Sequence, residues 1–212
     1  MKSRRVAIYL PTLHGGGAQR VMLNLADGLA RRGYSVDLVL TSAVGSYLSR
    51  VPESIHLVDL RAGRVLFSLR GLVNYLRVHK PAAIISAQDH GNLMMLWAHR
   101  LASVKETRSI ITVHTSHKVK WSSTRQRVKT RILAFLMRVF YRWADEIVAV
   151  SKGVAYSLES VTGIPIHKIT VIYNPVVAND IFKKAGEELD HPWFQIGQPP
   201  VILAVGRLTA AK

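Results

Sequence analysis

The sequence predicts an α/β protein built on a doubly wound, mostly parallel sheet. Short apolar runs alternate with longer amphipathic ones along nearly the whole chain. Runs such as Val6–Leu10 in "RVAIYL" and the nearly unbroken "AAIISA" are apolar, as strands covered on both faces tend to be. Each apolar run is followed by a stretch of helical spacing or by a turn, the pattern of βαβ units.

The elements follow in order. "RVAIYL" is a strand bounded by charge and Pro11. Ala18 to Arg32 has helical spacing, with Val21, Leu25 and Leu29 on one stripe and Met22 and Ala26 beside it, and Gly33 is its stop. "YSVDLVLT" and "HLVDL" are the next strands, and Val65 to His79 is a second helix ended by Lys80 and Pro81. "AAIISA" is a buried strand, Leu93–Leu101 a helix, and "SIITVH" a strand. A long helix over Thr124–Trp143, the strand "EIVAVS", a helix near Val154–Ser160 and the strand "KITVIY" complete the series. Ligands of such sheets sit beyond the carboxyl ends of the strands, which singles out the loops after Leu10, Ala87, Val113, Val150 and Tyr173.

Towards the end the texture changes. "KKAGEELDHPWFQIGQPP" is polar, holds Gly and Pro and has no period, so it reads as a linker. "VILAVGRLTAAK" then begins a new buried strand. The expected organisation is a domain over 1–180, a linker over 181–199, and at 200–212 the first strand and loop of an incomplete second domain. On this reading the chain is a fragment cut at the start of that second domain.

Composition narrows the partners. Twenty-nine Lys and Arg against thirteen Asp and Glu leave a net charge of +16. Such an excess favours an anionic partner: nucleic acid, an acidic membrane surface or a phosphorylated substrate. No helix-turn-helix or zinc pattern, and no interleaving of basic and aromatic strand residues, supports nucleic acid. There is no cysteine, which excludes disulfides and thiolate metal sites and fits a reducing compartment. The apolar segment Val6–Leu10 is too short for a secretory signal, and no run approaches the roughly 18 apolar residues that span a bilayer. A cytoplasmic protein is expected.

The stretch "PTLHGGGAQR" is the first candidate site. A dinucleotide fingerprint would need a third glycine where Arg20 stands, and a P-loop would need a Gly-Lys-Ser/Thr ending. Two readings remain: a flexible strand–helix turn, or a glycine platform that brings an anion to the amino end of the helix. "SAQDHGN" sets Asp89 and His90 at another strand's carboxyl end, where they would hold acceptor hydroxyls, or where Asp89 would cap the next helix. His114 closes "SIITVH", either facing the cleft or satisfied by backbone. With His117 it raises metal binding, but no third ligand is evident. Ser151 is expected to cap a helix and Asn174 to shape a turn.

Four motifs in order carry a resemblance: "HGGGAQRVMLNLADGLARRGYSVDLVL", "WADEIVAVSKGVAYSL", "KITVIYNPV" and "ILAVGRLTAAK". Together they resemble retaining glycosyltransferases of the GT-B fold, family 4. The resemblance implies two Rossmann-like domains across a cleft, the first mainly for the acceptor and the second for a nucleotide-diphosphate sugar. It implies that Gly16 and Gly17 let the donor diphosphate approach the backbone, that Arg207 and Lys212 neutralise it, and that His114 lies near the reacting sugar as the catalytic candidate. It also implies a site that needs no metal and no cofactor beyond the sugar donor, and no D-x-D motif argues otherwise. The family's E-x7-E motif belongs to the second domain and is not among these residues, so the chain alone is expected to be inactive.

From Thr107 to Ala144 there is no Asp or Glu. Lys118, Lys120, Arg125, Arg127, Lys129 and Arg131 lie within this segment and read as an anionic membrane surface contact. Each such charge near an acidic leaflet is worth about 1 kcal/mol. The apolar residues beside them (Ile132, Leu133, Phe135, Leu136, Val139, Phe140, Trp143) read as an ordinary core helix. The combined expectation is a glycosyltransferase, peripheral at the inner membrane, acting on a glycan or lipid-linked acceptor of the cell envelope. The alternatives are a non-catalytic membrane-docking subunit of a split enzyme and a basic nucleic-acid-binding module.

Overall fold

The computed structural model describes residues 5–116, 124–175 and 179–203, without the side chains of 124–127 and 179–181. Strands β1 (Arg5–Leu10), β2 (Ser35–Leu40), β3 (His56–Asp59), β4 (Ala83–Ala87), β5 (Arg108–Val113), β6 (Glu146–Ala149) and β7 (Ile169–Val171) form one sheet. Helices α1 (Gly17–Arg31), α2 (Leu69–His79), α3 (Asp89–Ala102), α4 (Thr124–Phe140) and α5 (Lys152–Thr162) connect or follow them. All pairings are parallel, in the order β3-β2-β1-β4-β5-β6-β7. The chain starts at the middle, winds outward to β3, then returns to lay β4 on the other side of β1. Winding therefore reverses between β1 and β4, the place where sheets of this kind hold ligands beyond their carboxyl ends.

Both faces of the central strands are covered, which fits their largely apolar composition, while the edge strand β3 is mostly exposed. On one face Ile8, Leu10, Val36, Leu38 and Leu40 pack with Met22, Leu23 and Ala26 of α1. On the other, Ala7, Tyr9, Val39, Ile84, Ile111 and Val113 pack against α2 and α3, and Ile147 and Ala149 join the same cluster with residues of α4 and α5. The inward side of α1 differs from the expected stripe. Met22, Leu23, Ala26 and Gln19 are buried, while Val21, Leu25 and Leu29 are half-buried. The helix is rolled toward Gln19 because that side chain reaches back to the loop before it.

Other boundaries shift for local reasons. Val65–Ser68 is a 3-10 turn rather than the start of α2. Ser68 Oγ donates to the Val65 carbonyl at 2.6 Å and pairs with the Tyr9 hydroxyl at 2.8 Å, diverting the chain from α-helical geometry. Helix α3 begins at Asp89, four positions before the expected Leu93, and α4 gives way to a 3-10 turn at Tyr141–Trp143. Beneath α2, the buried Asp37 carboxylate accepts from the Tyr75 hydroxyl at 2.6 Å and lies 3.6 Å from Arg5 and 3.4 Å from His56. Burial and that carboxylate push the Tyr75 phenol far up, so it stays a donor.

The chain divides into two compact units, Met1–Pro175 and Val176–Lys212. In the second, Asn179–Ala185 forms a short helix, α6, that runs from the end of the expected first domain into the stretch read as linker, and Pro192–Phe194 forms a 3-10 turn. Val201–Leu203 has no strand pairing, and the rest of the expected second-domain strand, 204–212, lies outside the described residues.

Candidate active site

The loop after β1 is held rigidly from behind. Leu13 is fully buried, and truncating such a side chain costs about 2–5 kcal/mol. Its N–H donates to the Val44 carbonyl at 2.9 Å and its carbonyl accepts from Tyr47 at 3.0 Å. Gly45 lies so close that an added Cβ would overlap the Leu13 carbonyl group, and its φ of 127° is a left-handed value suited to glycine. The sequence reading missed Gly45, because nothing local to "SAVGSY" marks a backbone packed against a distant loop.

Within the loop, Gly15 has φ 103° and donates its N–H to Gln19 Oε1 at 2.8 Å. Gly16 is the residue before α1, with extended backbone and no side-chain cap, and Gly17 opens the helix. A Cβ at either Gly16 or Gly17 would meet no protein atom within 4 Å. Their missing side chains therefore leave open space at the helix start, where the first N–H groups have no partner inside the helix. No acidic residue lies in that first turn. Such an end favours an anion.

The neighbouring strands converge on this loop. The first turn of α3 abuts its start: a Cβ on Gly91 would meet the Pro11 ring at 3.4 Å. At the end of β5, Thr112 Oγ1 lies 3.8 Å from Met22 Sδ on α1, 2.8 Å from the Ser86 carbonyl on β4, and 3.0 Å from His114 Nε2. The Thr112 hydroxyl proton belongs to the short contact with Ser86, so its oxygen accepts from His114 Nε2–H. Nδ1 is then the unprotonated nitrogen, and it is buried without a hydrogen-bond partner. Burial pushes the imidazole pKa down and keeps the ring neutral.

Asp89 is not the cap of α3. That position is Gln88, whose φ of 71° is a strained left-handed value for a side-chain-bearing residue. Asp89 begins the helix and accepts from the Tyr141 hydroxyl at 3.0 Å. Tyr141 in turn accepts from Asn92 Nδ2 at 3.3 Å, and Asn92 also donates to the Thr112 carbonyl at 3.0 Å and accepts from Ser86 at 2.7 Å. Burial, and secondly the Asp89 charge, push the Tyr141 phenol far up, so it serves as a donor. This chain through Ser86, Asn92, Tyr141 and Asp89 was not legible in sequence, since its members come from three separate elements. His90 is exposed beside Asp89.

Other candidates lie apart. Ser151 caps α5, accepting from the Val154 N–H at 3.2 Å. Lys129 and Arg131 are exposed on α4, while Arg125 and Arg127 fall in its first turns with undescribed side chains. Lys118, Lys120, His117, Arg207 and Lys212 lie outside the described residues. No group of three or more potential metal ligands occurs among the described residues.

The family model for Glycosyltransferase Family 4 matches residues 15–179. No curated protein matches the sequence. Among solved structures, the chain is similar to Anabaena Alr3699/HepE in complex with UDP, with TM-score 0.61, 14% identity, 87% of this chain covered and 49% of that one. It is similar to a glycosyltransferase from Rickettsia africae ESF-5, with TM-score 0.58, 15% identity and coverage of 87% and 48%. It is also similar to the lipopolysaccharide outer core galactosyltransferase WaaB, with TM-score 0.56, 15% identity and coverage of 81% and 46%. The chain thus spans about half the length of the structures it matches, and at these identities the likeness is one of fold. The family model covers residues 15–179, most of the chain, and on that match the protein belongs to glycosyltransferase family 4.

Proposed function

We propose that these residues form the acceptor side of a retaining sugar transfer from a nucleotide-diphosphate sugar, with the donor held largely by a second domain. The observation that carries this reading is the open space over Gly16 and Gly17 at the amino end of α1. In the transfer, the bond from the anomeric carbon to the diphosphate oxygen breaks and the diphosphate leaves with the electron pair. The acceptor hydroxyl oxygen bonds to the same carbon, and its proton passes to the departing phosphate oxygen. The N–H groups and dipole of α1 face the charge that grows on the diphosphate, which is where fixed dipoles stabilise a transition state most. Arg207 and Lys212 add cations to the same group. His114, half-buried and neutral, stands at the reacting sugar, and Asp89 with His90 receives acceptor hydroxyls. No metal takes part.

The net charge of +16 and the basic segment around α4 support an anionic membrane as the place where the acceptor, a glycan or lipid-linked sugar, is met. That composition also supports a second reading, a non-catalytic docking subunit. Titration of the ¹⁵N-labelled chain with UDP separates the two. Amide shifts concentrated on Gly16, Gly17 and Ala18 support the transferase reading. Shifts scattered over surface lysines and arginines overturn it.

A further inference from the structure

The apolar half of α4 does not all enter the core. Met137 is buried, and Leu133, Leu136 and Phe140 pack against the core cluster, as expected of a core helix. Val128, Ile132, Phe135 and Val139 point away and are 51%, 55%, 65% and 39% exposed. Their spacing of four, three and four residues draws one stripe about 16 Å long on the outer face of the helix. At 100° per residue Arg131 and Arg138 border this stripe on one side and Lys129 on the other, and all three are exposed. Among the described residues no carboxylate pairs with them.

We propose that α4 lies in the surface of an anionic bilayer, with the stripe from Val128 to Val139 inserted among the acyl chains and Arg131, Arg138 and Lys129 at the phosphates. No helix among the described residues is long and apolar enough to cross a membrane, so the helix rests in the interface plane. Charge favours lipid over a second copy of the chain. Two copies joined along the stripe would bring basic flanks together with no acidic residue from Thr107 to Ala144 to offset them. The inference deepens the membrane part of the function proposed above and rests on it, but it is independent of the sugar chemistry.

The test is flotation of the 212-residue chain with vesicles, either of pure phosphatidylcholine or of phosphatidylcholine and phosphatidylglycerol in equal parts. The native chain is expected to float with the mixed vesicles and not with the neutral ones. The double variant Ile132→Ser/Phe135→Ser should lose at least about tenfold in partitioning, since two inserted apolar side chains are removed from exposed positions. Arg131→Gln/Arg138→Gln should also lose binding and show a shallower salt dependence. Because the chain has no cysteine, Phe135→Cys carries a single nitroxide whose oxygen accessibility should rise on the mixed vesicles. Undiminished binding by the serine variant, a nitroxide that stays water-exposed, no vesicle binding by the native chain, or a dimer in solution that the serine variant dissociates would each overturn the proposal. UDP binding at Gly16 and Gly17 is read separately, so a failure here leaves the transferase reading standing.

Discussion

His114 Nε2 lies 3.0 Å from Thr112 Oγ1, and because that hydroxyl gives its proton to the Ser86 carbonyl at 2.8 Å, the pair puts the proton of the neutral ring on Nε2, while burial lowers the ring's pKa. Protonating the ring would place a second donor in a buried spot with no acceptor.

This gives a pH dependence. The folded state lowers the His114 pKa through burial, so the unfolded chain takes up a proton first as pH falls below the ordinary imidazole value of about 6.5. The stability supplied by the neutral ring is complete above that pH and is lost as pH falls through the lowered folded value. His114→Gln should flatten the decline by up to one proton's worth of slope. Urea unfolding at a series of pH values from neutral downward checks it, and an unchanged slope would count against the burial account.

Gly45 and Gly16 should respond oppositely to alanine. Gly45→Ala places a Cβ on the Leu13 carbonyl group at a left-handed φ, and should cost more than about 3 kcal/mol or prevent folding. Gly16→Ala meets open space and should cost less than about 1 kcal/mol, mostly as a poorer helix cap. Thermal melting of the two variants gives the readout.

Gln88 carries its side chain at a left-handed φ of 71°. Gln88→Gly should leave stability unchanged or slightly raised, because relief of strain offsets the added freedom of the unfolded chain. Gln88→Val should lose about 1–2 kcal/mol, since a β-branched side chain is strained further there. Paired denaturant midpoints decide this, and equal losses from both variants would remove the strain argument.

Tyr141→Phe keeps the ring but deletes the donor to Asp89. Asn92 Nδ2 retains the Thr112 carbonyl, so the expected cost is only about 1–2 kcal/mol by urea unfolding. A cost near zero would mean that water replaces the hydroxyl without penalty.

Much of this arrangement was legible beforehand. The seven strands, the helices that link or cover them and the glycine loop follow from local rules, because short apolar runs between breakers, alternating with amphipathic stretches, fit buried strands of a parallel sheet, and because three glycines remove side chains wherever they occur. The misreadings fall where a side chain reaches across the fold. Ser68 bonds Tyr9 and delays α2, and Gln19 bonds Gly15 and rolls α1. Of the two readings left open for Asp89, the cap falls away, because Gln88 takes that position and Tyr141 holds the Asp89 carboxylate.

The amino-acid sequence alone determined the doubly wound class, the positions of the strand-end loops and the family, since period, breakers and motif order are properties of neighbouring residues. Only the tertiary structure decided that Gly45 must be glycine, that His114 is neutral with Nδ1 free, and that Val128, Ile132, Phe135 and Val139 face outward. The physical reason is the same in each case. Steric overlap, burial and hydrogen-bond partnership depend on atoms distant in the chain, and their consequences exist only once the sheet and its helices have brought those atoms together.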